Sequence, residues 1–181
     1  DIKDNASYSI VNSLQNVHIT NDKNISPYAF YNLQNVDYVS LGDTIETIGE
    51  YAFANNNTLS VVRFADGYRM TTVSNNLFQN ATALQGFNLG GNVLDTKDTT
   101  AIVRRLPDCV TTIGAYAFDG CSDVHFIDFA VSNNVTTIGK YAFSRTSSMV
   151  SFSFDETCQI KTLSEGTFKD AIKLQMTTLP D

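Results

Sequence analysis

Apolar residues recur along the chain with a period of about 25 residues, which is typical of a solenoid built from stacked repeats. The most constant position is an aromatic anchor, and apolar residues follow it at +6, +9 and +11, with Thr177 as the only exception. The anchors are almost evenly spaced, apart from one longer interval between Phe78 and Phe118. They comprise Tyr8, Phe30, Phe53, Phe78, Phe118, Phe143 and Phe168.

Each repeat predicts one strand and one short helical turn. The apolar residues at +9 and +11 have the two-residue period of a strand with one buried face. Ser or Gly stands four residues before most anchors, as at Ser26 and Gly49, and Pro27 follows Ser26. These residue types favour the first positions of a helix. We therefore predict an α/β, β-rich solenoid of about seven coils, whose helical turns carry the anchors into the core.

The repeat extends over residues 1–181, which we assign to a single domain. The interval between Phe78 and Phe118 exceeds one period, so it predicts an insertion of about 15 residues within residues 90–108. Insertions in repeat proteins form loops that often lie on the binding face, and a degenerate extra turn is the alternative. The last residues resemble the start of another coil. We therefore expect either a fragment of a longer protein or a C-terminal edge that something else covers.

The phrases IGEYAFANN, IGAYAFDGC and IGKYAFSRT begin at Ile48, Ile113 and Ile138. Together with the LxxLxL strands they resemble the BspA-type leucine-rich repeats of bacterial and protist surface proteins, over nearly the whole chain. The resemblance implies a right-handed β-α superhelix on a secreted or surface-exposed protein that takes part in adhesion. The family's cysteine occurs here only as Cys121, which we expect to be a buried free thiol.

Charge and hydropathy exclude two classes of partner. The net charge is −7 and the 12 Lys and Arg residues are scattered, which argues against nucleic-acid binding. No apolar run is long enough to cross a bilayer, so we predict no membrane insertion.

The sequence offers no constellation typical of an enzyme. His18 and His125 fall on strands four coils apart, which places them about 19 Å from each other and prevents a shared metal ion or proton relay. We find neither a catalytic triad pattern nor a phosphate-binding loop. We therefore predict no catalytic, cofactor-binding or metal-binding residues, and a chain that is not an enzyme.

The outward face of the strands is the predicted binding surface. It combines exposed aromatic and aliphatic side chains with polar neighbours, a composition that suits a protein partner. Strand propensity alone also accounts for such residues. The candidate residues are Tyr38, Val61, Arg63, His125, Phe126, Asp128 and Met176.

These observations favour a non-enzymatic, extracellular or cell-surface module that binds a protein or another macromolecule, for example in adhesion. The alternative is a structural spacer, or a segment that self-associates through its terminal coils within a larger surface protein.

Overall fold

A computed structural model describes residues 15–89, 106–128, 134–153, 159–160 and 162–176. These residues form twelve β-strands, which belong to two sets. One set follows the anchors and consists of β1 (Asn16–Ile19), β3 (Tyr38–Leu41), β5 (Val61–Phe64), β7 (Gly86–Leu89), β9 (Phe126–Asp128), β11 (Ser151–Ser153) and β12 (Gln175–Met176). The other set precedes the anchors and consists of β2 (Asn24–Ile25), β4 (Thr47–Ile48), β6 (Thr72–Val73), β8 (Thr112–Ile113) and β10 (Thr137–Ile138).

Strands of successive repeats pair in parallel. The first set forms the sheets β1-β3-β5-β7 and β9-β11-β12, and the second forms β2-β4 and β6-β8-β10. The register joins equivalent repeat positions, as in the pairs of Val39 with Val17 and with Val62. This pairing confirms a leucine-rich-repeat type of solenoid, in which each turn of the chain adds one strand to the neighbouring turn.

The chain spans the long interval without losing this register. Thr72 of β6 pairs with Thr112 of β8, although the long interval separates these two threonines in sequence. The coils on either side of the interval are therefore adjacent in the stack. Most of the predicted insertion, residues 90–105, lies outside the described residues.

The predicted helical turns are wrong for the part of the chain that the structure describes, where the segments around the anchors are tight turns. Tyr28 and Asn32 have φ values of 60° and 58°, in the left-handed region. The N–H of Phe30, between them, donates to the carbonyl of Ala52 in the next coil at 2.9 Å. In a helix this N–H would bond four residues back within its own segment. Alternate N–H groups instead point along the stack, so no helix forms.

A single superhelix of seven coils is also not supported. The longest continuous sheet joins four strands, β1, β3, β5 and β7, which corresponds to about four turns of solenoid. In the set that follows the anchors, the strands after the long interval belong to a separate sheet.

The anchor phenylalanines form the centre of the core. Neighbouring rings stack almost parallel, with centroids 5.2 Å apart for Phe30 and Phe53 and also for Phe118 and Phe143. Burying one such side chain contributes about 2–3 kcal/mol. Strand residues at +9 and +11, such as Val39, complete the core around the rings.

Candidate functional site

The outward face of β3 and β5 is not open to solvent. Tyr38 and Val61, which pair in register, are both 0% exposed, and Arg63 is buried as well. Our expectation that Tyr38 and Val61 are exposed was wrong. Every residue of β3 and β5 is buried, as in parallel sheets that are covered on both faces. The alternation of apolar residues along a strand indicates that one face is buried. It does not indicate whether the other face is covered as well.

The other candidate residues lie in a different sheet or just before it. His125 is exposed, and its Nδ1 lies 2.6 Å from the carbonyl oxygen of Asp123. Phe126 and Asp128 belong to β9 and Met176 to β12, but their side chains lie outside the described part. The candidates are therefore divided between two sheets. Their role in partner binding stays a prediction.

His18, on β1, contacts residues Ser40 and Tyr38 of this buried face. Its Nδ1 lies 2.7 Å from the hydroxyl of Ser40, and its ring centroid is 5.9 Å from that of Tyr38. A hydroxyl beside an imidazole is one part of a nucleophilic site. Ser40 is completely buried, however, so a substrate cannot reach its hydroxyl. The contact between His18 and Ser40 therefore joins β1 to β3 and does not form an active site.

Tyrosines from the turn segments form a partly exposed aromatic surface, which we call the turn face. Its rings form two clusters, with Tyr28 and Tyr51 stacked at 4.8 Å and Tyr116 and Tyr141 at 5.1 Å. Tyr31 packs edge-on against Tyr28. Tyr28 is 53% exposed, and Tyr31 and Tyr116 are also exposed. The turn face comprises Tyr28, Tyr31, Tyr51, Tyr116 and Tyr141.

Sequence reasoning missed this surface, although a signal was present. Four of its tyrosines, including Tyr51 and Tyr116, stand two residues before an anchor. All four have a φ between 56° and 60°, a conformation that non-glycine residues rarely adopt. Because of this conformation the anchor enters the core while the tyrosine ring stays near the surface.

A ladder of polar side chains leads from the first tyrosine cluster to the coils that carry the second. The Asn55 amide donates to the Tyr31 hydroxyl at 2.6 Å, and the Asn80 amide donates to Asn55 at 2.9 Å. Arg145 Nη2 donates to Asn80 at 3.0 Å and to Asp119 Oδ2 at 2.6 Å. The ladder therefore runs from Tyr31 to Asp119 without interruption.

The Asp119–Arg145 pair is the charged contact of the ladder. Arg145 holds the nearly buried Asp119 carboxylate through both Nε and Nη2. Burial by itself raises the pKa of Asp119, but hydrogen bonds from Arg145 and Gln79 outweigh it and the pKa is lowered. The same pair raises the pKa of Arg145. Both groups are therefore ionised at neutral pH.

A shallow cleft of about 400 Å³ opens beside this pair. Its rim carries Tyr116 and Tyr141, and Lys169 Nζ lies 5.9 Å from the centroid of the Tyr141 ring. The Tyr141 hydroxyl bonds to Glu165, which raises the pKa of the tyrosine, while Lys140 and this hydroxyl lower the pKa of Glu165. The cleft lining contains two acidic residues, Asp119 and Asp170, and two basic residues, Arg145 and Lys169, so the cleft is close to neutral.

Two cysteines lie within the described residues. Cys121 is a free and fully buried thiol, as expected, and burial raises its pKa. Burial also raises the pKa of Cys109, which borders a smaller cavity of about 230 Å³ together with Tyr68. A raised pKa disfavours the nucleophilic thiolate, so neither cysteine is activated for catalysis.

Two further kinds of feature are absent from the described ranges. Within them, no group of three or more His, Cys, Asp or Glu side chains could hold a metal ion. No helix in the part of the chain that the structure describes is long and apolar enough to span a membrane.

The fold is similar to that of known bacterial repeat proteins. The leucine-rich repeat protein TpLRR of T. pallidum is 20% identical, with a TM-score of 0.71, over 92% of this chain and 72% of its own. A leucine-rich repeat protein of Bacteroides ovatus is 19% identical, with a TM-score of 0.58, over 92% of this chain. The chain spans 43% of that protein's length. At these identities the likeness shows the fold alone.

In sequence, no curated protein matches the chain. The family model described as the BspA type leucine rich repeat region, in six copies, matches residues 1–102 and 99–181. These two matches cover the whole sequence, and the chain belongs to the family of BspA-type leucine-rich repeat proteins.

Proposed function

We propose that this chain is a non-enzymatic module at a cell surface or outside the cell that binds proteins in adhesion. Leucine-rich repeat proteins are generally protein-interaction modules and generally non-catalytic, and BspA-like members are typically surface proteins. The observation that carries the proposal is the turn face, on which tyrosines of successive coils are stacked, three of them exposed and two half-buried.

Tyrosine suits this role for two physical reasons. Its ring contributes a large contact area with few rotatable bonds, and its hydroxyl forms hydrogen bonds at the rim of an interface. Stacking holds Tyr116 against Tyr141, and a hydrogen bond from Asn55 holds Tyr31. Side chains that are fixed before binding lose little conformational entropy when a partner arrives.

The charges around the turn face favour a protein over a polyanionic partner. Lys140 pairs with Glu165 and Arg145 pairs with Asp119, so these basic groups already have acidic partners. The net charge of −7 adds a general repulsion of polyanions. These charges therefore favour a partner that packs against the aromatic rings and forms hydrogen bonds between uncharged groups.

The experiment that tests this proposal measures binding of the chain to immobilised extracellular-matrix proteins and to whole cells. We expect saturable binding that falls by about tenfold or more in the double variant Tyr51→Ala, Tyr116→Ala. The matched control is Val150→Ala, which removes an exposed apolar side chain outside the turn face. Equal affinities of the double variant and the wild type would refute the role of the turn face.

A second candidate function is self-association as a structural segment. Ile172 is 79% exposed, the largest exposure among the large apolar residues described. Burying this side chain against another surface would remove its apolar area from water. Sedimentation velocity over a range of concentrations tests this candidate, which predicts assembly that Ile172→Asp weakens. The control Asn57→Asp places the same charge at the equivalent exposed position of an inner coil.

A further inference from the structure

The cleft beside the Asp119–Arg145 pair is explained by the residues that directly follow the anchors. In an early coil this residue is Tyr31, whose ring packs edge-on against Tyr28 with the centroids 5.5 Å apart. Two later coils carry Asp119 and Ser144 at this position, which are smaller and only 4% and 5% exposed. Space that a tyrosine fills in the early coil is therefore open in the later ones, where the cleft of about 400 Å³ lies.

The cleft combines a polar base with an aromatic rim. Asp119 and Ser144 line it and are nearly buried, so they lie at its base. Tyr116 and Tyr141 lie at the rim, together with the exposed side chain of Lys169. A ligand that enters the cleft therefore meets aromatic carbon atoms first and polar atoms below them.

Gly120 allows Arg145 to lie across this base. A Cβ atom at Gly120 would clash with the side-chain oxygen of Asn80 and would lie 3.3 Å from Arg145 Nη2. Because that space is free, the guanidinium group bonds to both Asn80 and Asp119, with three hydrogen bonds in total. These bonds fix the remaining nitrogen, Nη1, before a ligand arrives, which lowers the entropy lost on binding.

Several hydrogen-bonding groups around the cleft are unused. Arg145 forms its bonds through Nε and Nη2, so the two N–H groups of Nη1 have no acceptor within the described ranges. In the same ranges, neither the Lys169 ammonium group nor the Tyr116 hydroxyl has a hydrogen-bond partner. Asp170 adds an exposed carboxylate to the lining. Donors and an acceptor therefore border the same cavity.

The charges of the lining narrow the class of ligand. A ligand with a net charge would meet two side chains of its own sign, either Asp119 and Asp170 or Arg145 and Lys169. An apolar ligand would displace water from these polar groups without replacing the hydrogen bonds. A neutral ligand rich in hydroxyl groups avoids both costs, because each hydroxyl can donate and accept at once.

A pyranose sugar ring has this chemistry. Its hydroxyl groups project from the ring edge, where one of them can accept from Lys169 while its neighbour donates to Asp170. Its C–H groups form an apolar surface that can pack against the exposed part of the Tyr116 ring. The cleft volume of about 400 Å³ lies in the range of small-molecule sites, about 300–1,000 Å³, and suits one or two sugar units.

We propose that the cleft beside Tyr116 and Tyr141 is a carbohydrate-binding site for a neutral pyranose unit of a glycan. The sugar hydroxyls accept hydrogen bonds from Arg145 Nη1 and Lys169 and donate to Asp170, while the C–H surface of the sugar packs against Tyr116. This inference goes beyond the proposed protein binding and does not rest on it.

An array of immobilised neutral oligosaccharides tests the proposal on the whole chain. The array carries glucose, galactose, mannose and N-acetylglucosamine units, and we expect saturable binding to at least one of them. Ser144→Tyr should weaken this binding by about tenfold or more, because it fills the cleft as Tyr31 fills the equivalent space in its own coil.

A second variant tests the hydrogen bonds without changing the base of the cleft. Lys169→Ala removes an unused donor from an exposed position, so it should fold and should weaken sugar binding by about fivefold or more. The matched control is Lys173→Ala, which removes an exposed lysine of the same coil that does not line the cleft. It should bind the sugar like the wild type.

Three results would overturn the inference. The first is a wild type that binds no oligosaccharide of the array, and the second is unchanged binding by Ser144→Tyr or Lys169→Ala. The third is an equal loss of binding in Lys173→Ala and Lys169→Ala, which would indicate a general effect of charge. Each of these results would leave the proposed protein binding intact, because matrix proteins without glycans test that binding separately.

Discussion

The thiol of Cys121 donates a hydrogen bond to the carbonyl oxygen of Phe78 in the preceding coil, with a sulfur–oxygen distance of 3.0 Å. Asn56, at the equivalent position of an earlier coil, donates to the carbonyl of Phe30 at 2.9 Å. Both side chains are buried. A small side chain with a donor at this position therefore bonds to the carbonyl of an anchor phenylalanine in the preceding coil.

Replacing Cys121 by Ala should lower the free energy of unfolding by about 1–2 kcal/mol, since a small cavity forms and the buried Phe78 carbonyl keeps only the Ala81 N–H as a donor. Urea denaturation measures the change. Cys121→Ser keeps a donor at the site and serves as the comparison. A Cys121→Ala variant as stable as the wild type would contradict the structural role of the thiol.

The Asp119–Arg145 pair predicts a specific dependence of stability on pH. The pKa of Asp119 is lower in the folded chain than in the unfolded chain. Its stabilising contribution is therefore complete above its unfolded pKa of about 3.9, and it is lost as the pH falls through the folded pKa. The wild type should lose more stability than Asp119→Asn on acidification below about pH 4. Parallel stability profiles of the two proteins in acid would contradict this assignment.

Arg145→Ala should destabilise the fold at neutral pH by about 2 kcal/mol, because a nearly buried carboxylate loses its charged donor. Arg145→Lys keeps the charge but loses the two-point geometry, so its effect should be intermediate. Thermal unfolding at pH 7 measures both variants. Equal stability of Arg145→Ala and the wild type would show that the hydrogen bond from Gln79 suffices to hold Asp119.

The anchors should differ in importance along the stack. Phe118→Ala empties the centre of the core and should cost about 3–5 kcal/mol. Phe168→Ala affects a ring that is only partly buried in the last described coil, and it should cost clearly less. Chemical denaturation of both variants checks the order. The reverse order would place the most tightly packed part of the stack around Phe168.

The repeat period and the buried strand positions were predictable because they depend on local alternation. The residues expected inside, such as Val39, Leu41 and Val62, are all buried. The hydrophobicity of each of these residues predicts its burial, and the repeat period predicts which residues of successive coils lie side by side.

The turn geometry was not predictable by the same reasoning. Ser26 and Pro27 satisfy the local rules for the start of a helix, yet Tyr28 adopts a left-handed conformation and donates to Glu50 of the next coil. Helix rules assume acceptors within the same segment, whereas these acceptors lie about one period away. The expectation that Tyr38 is exposed was wrong for a related reason. Whether the outer face of the strands is covered depends on tertiary structure.

The central claim is that the turn face, and not the strand face, contacts protein partners. The most direct measurement uses one matrix protein that the wild type binds. It compares the affinity of the double variant Tyr51→Ala, Tyr116→Ala with the affinity of the single variant His125→Ala. His125 is the candidate on the strand side that the structure shows to be exposed. The account predicts a strong loss of affinity for the tyrosine variant and little change for His125→Ala. The opposite ranking would contradict it and return the binding site to the strand side.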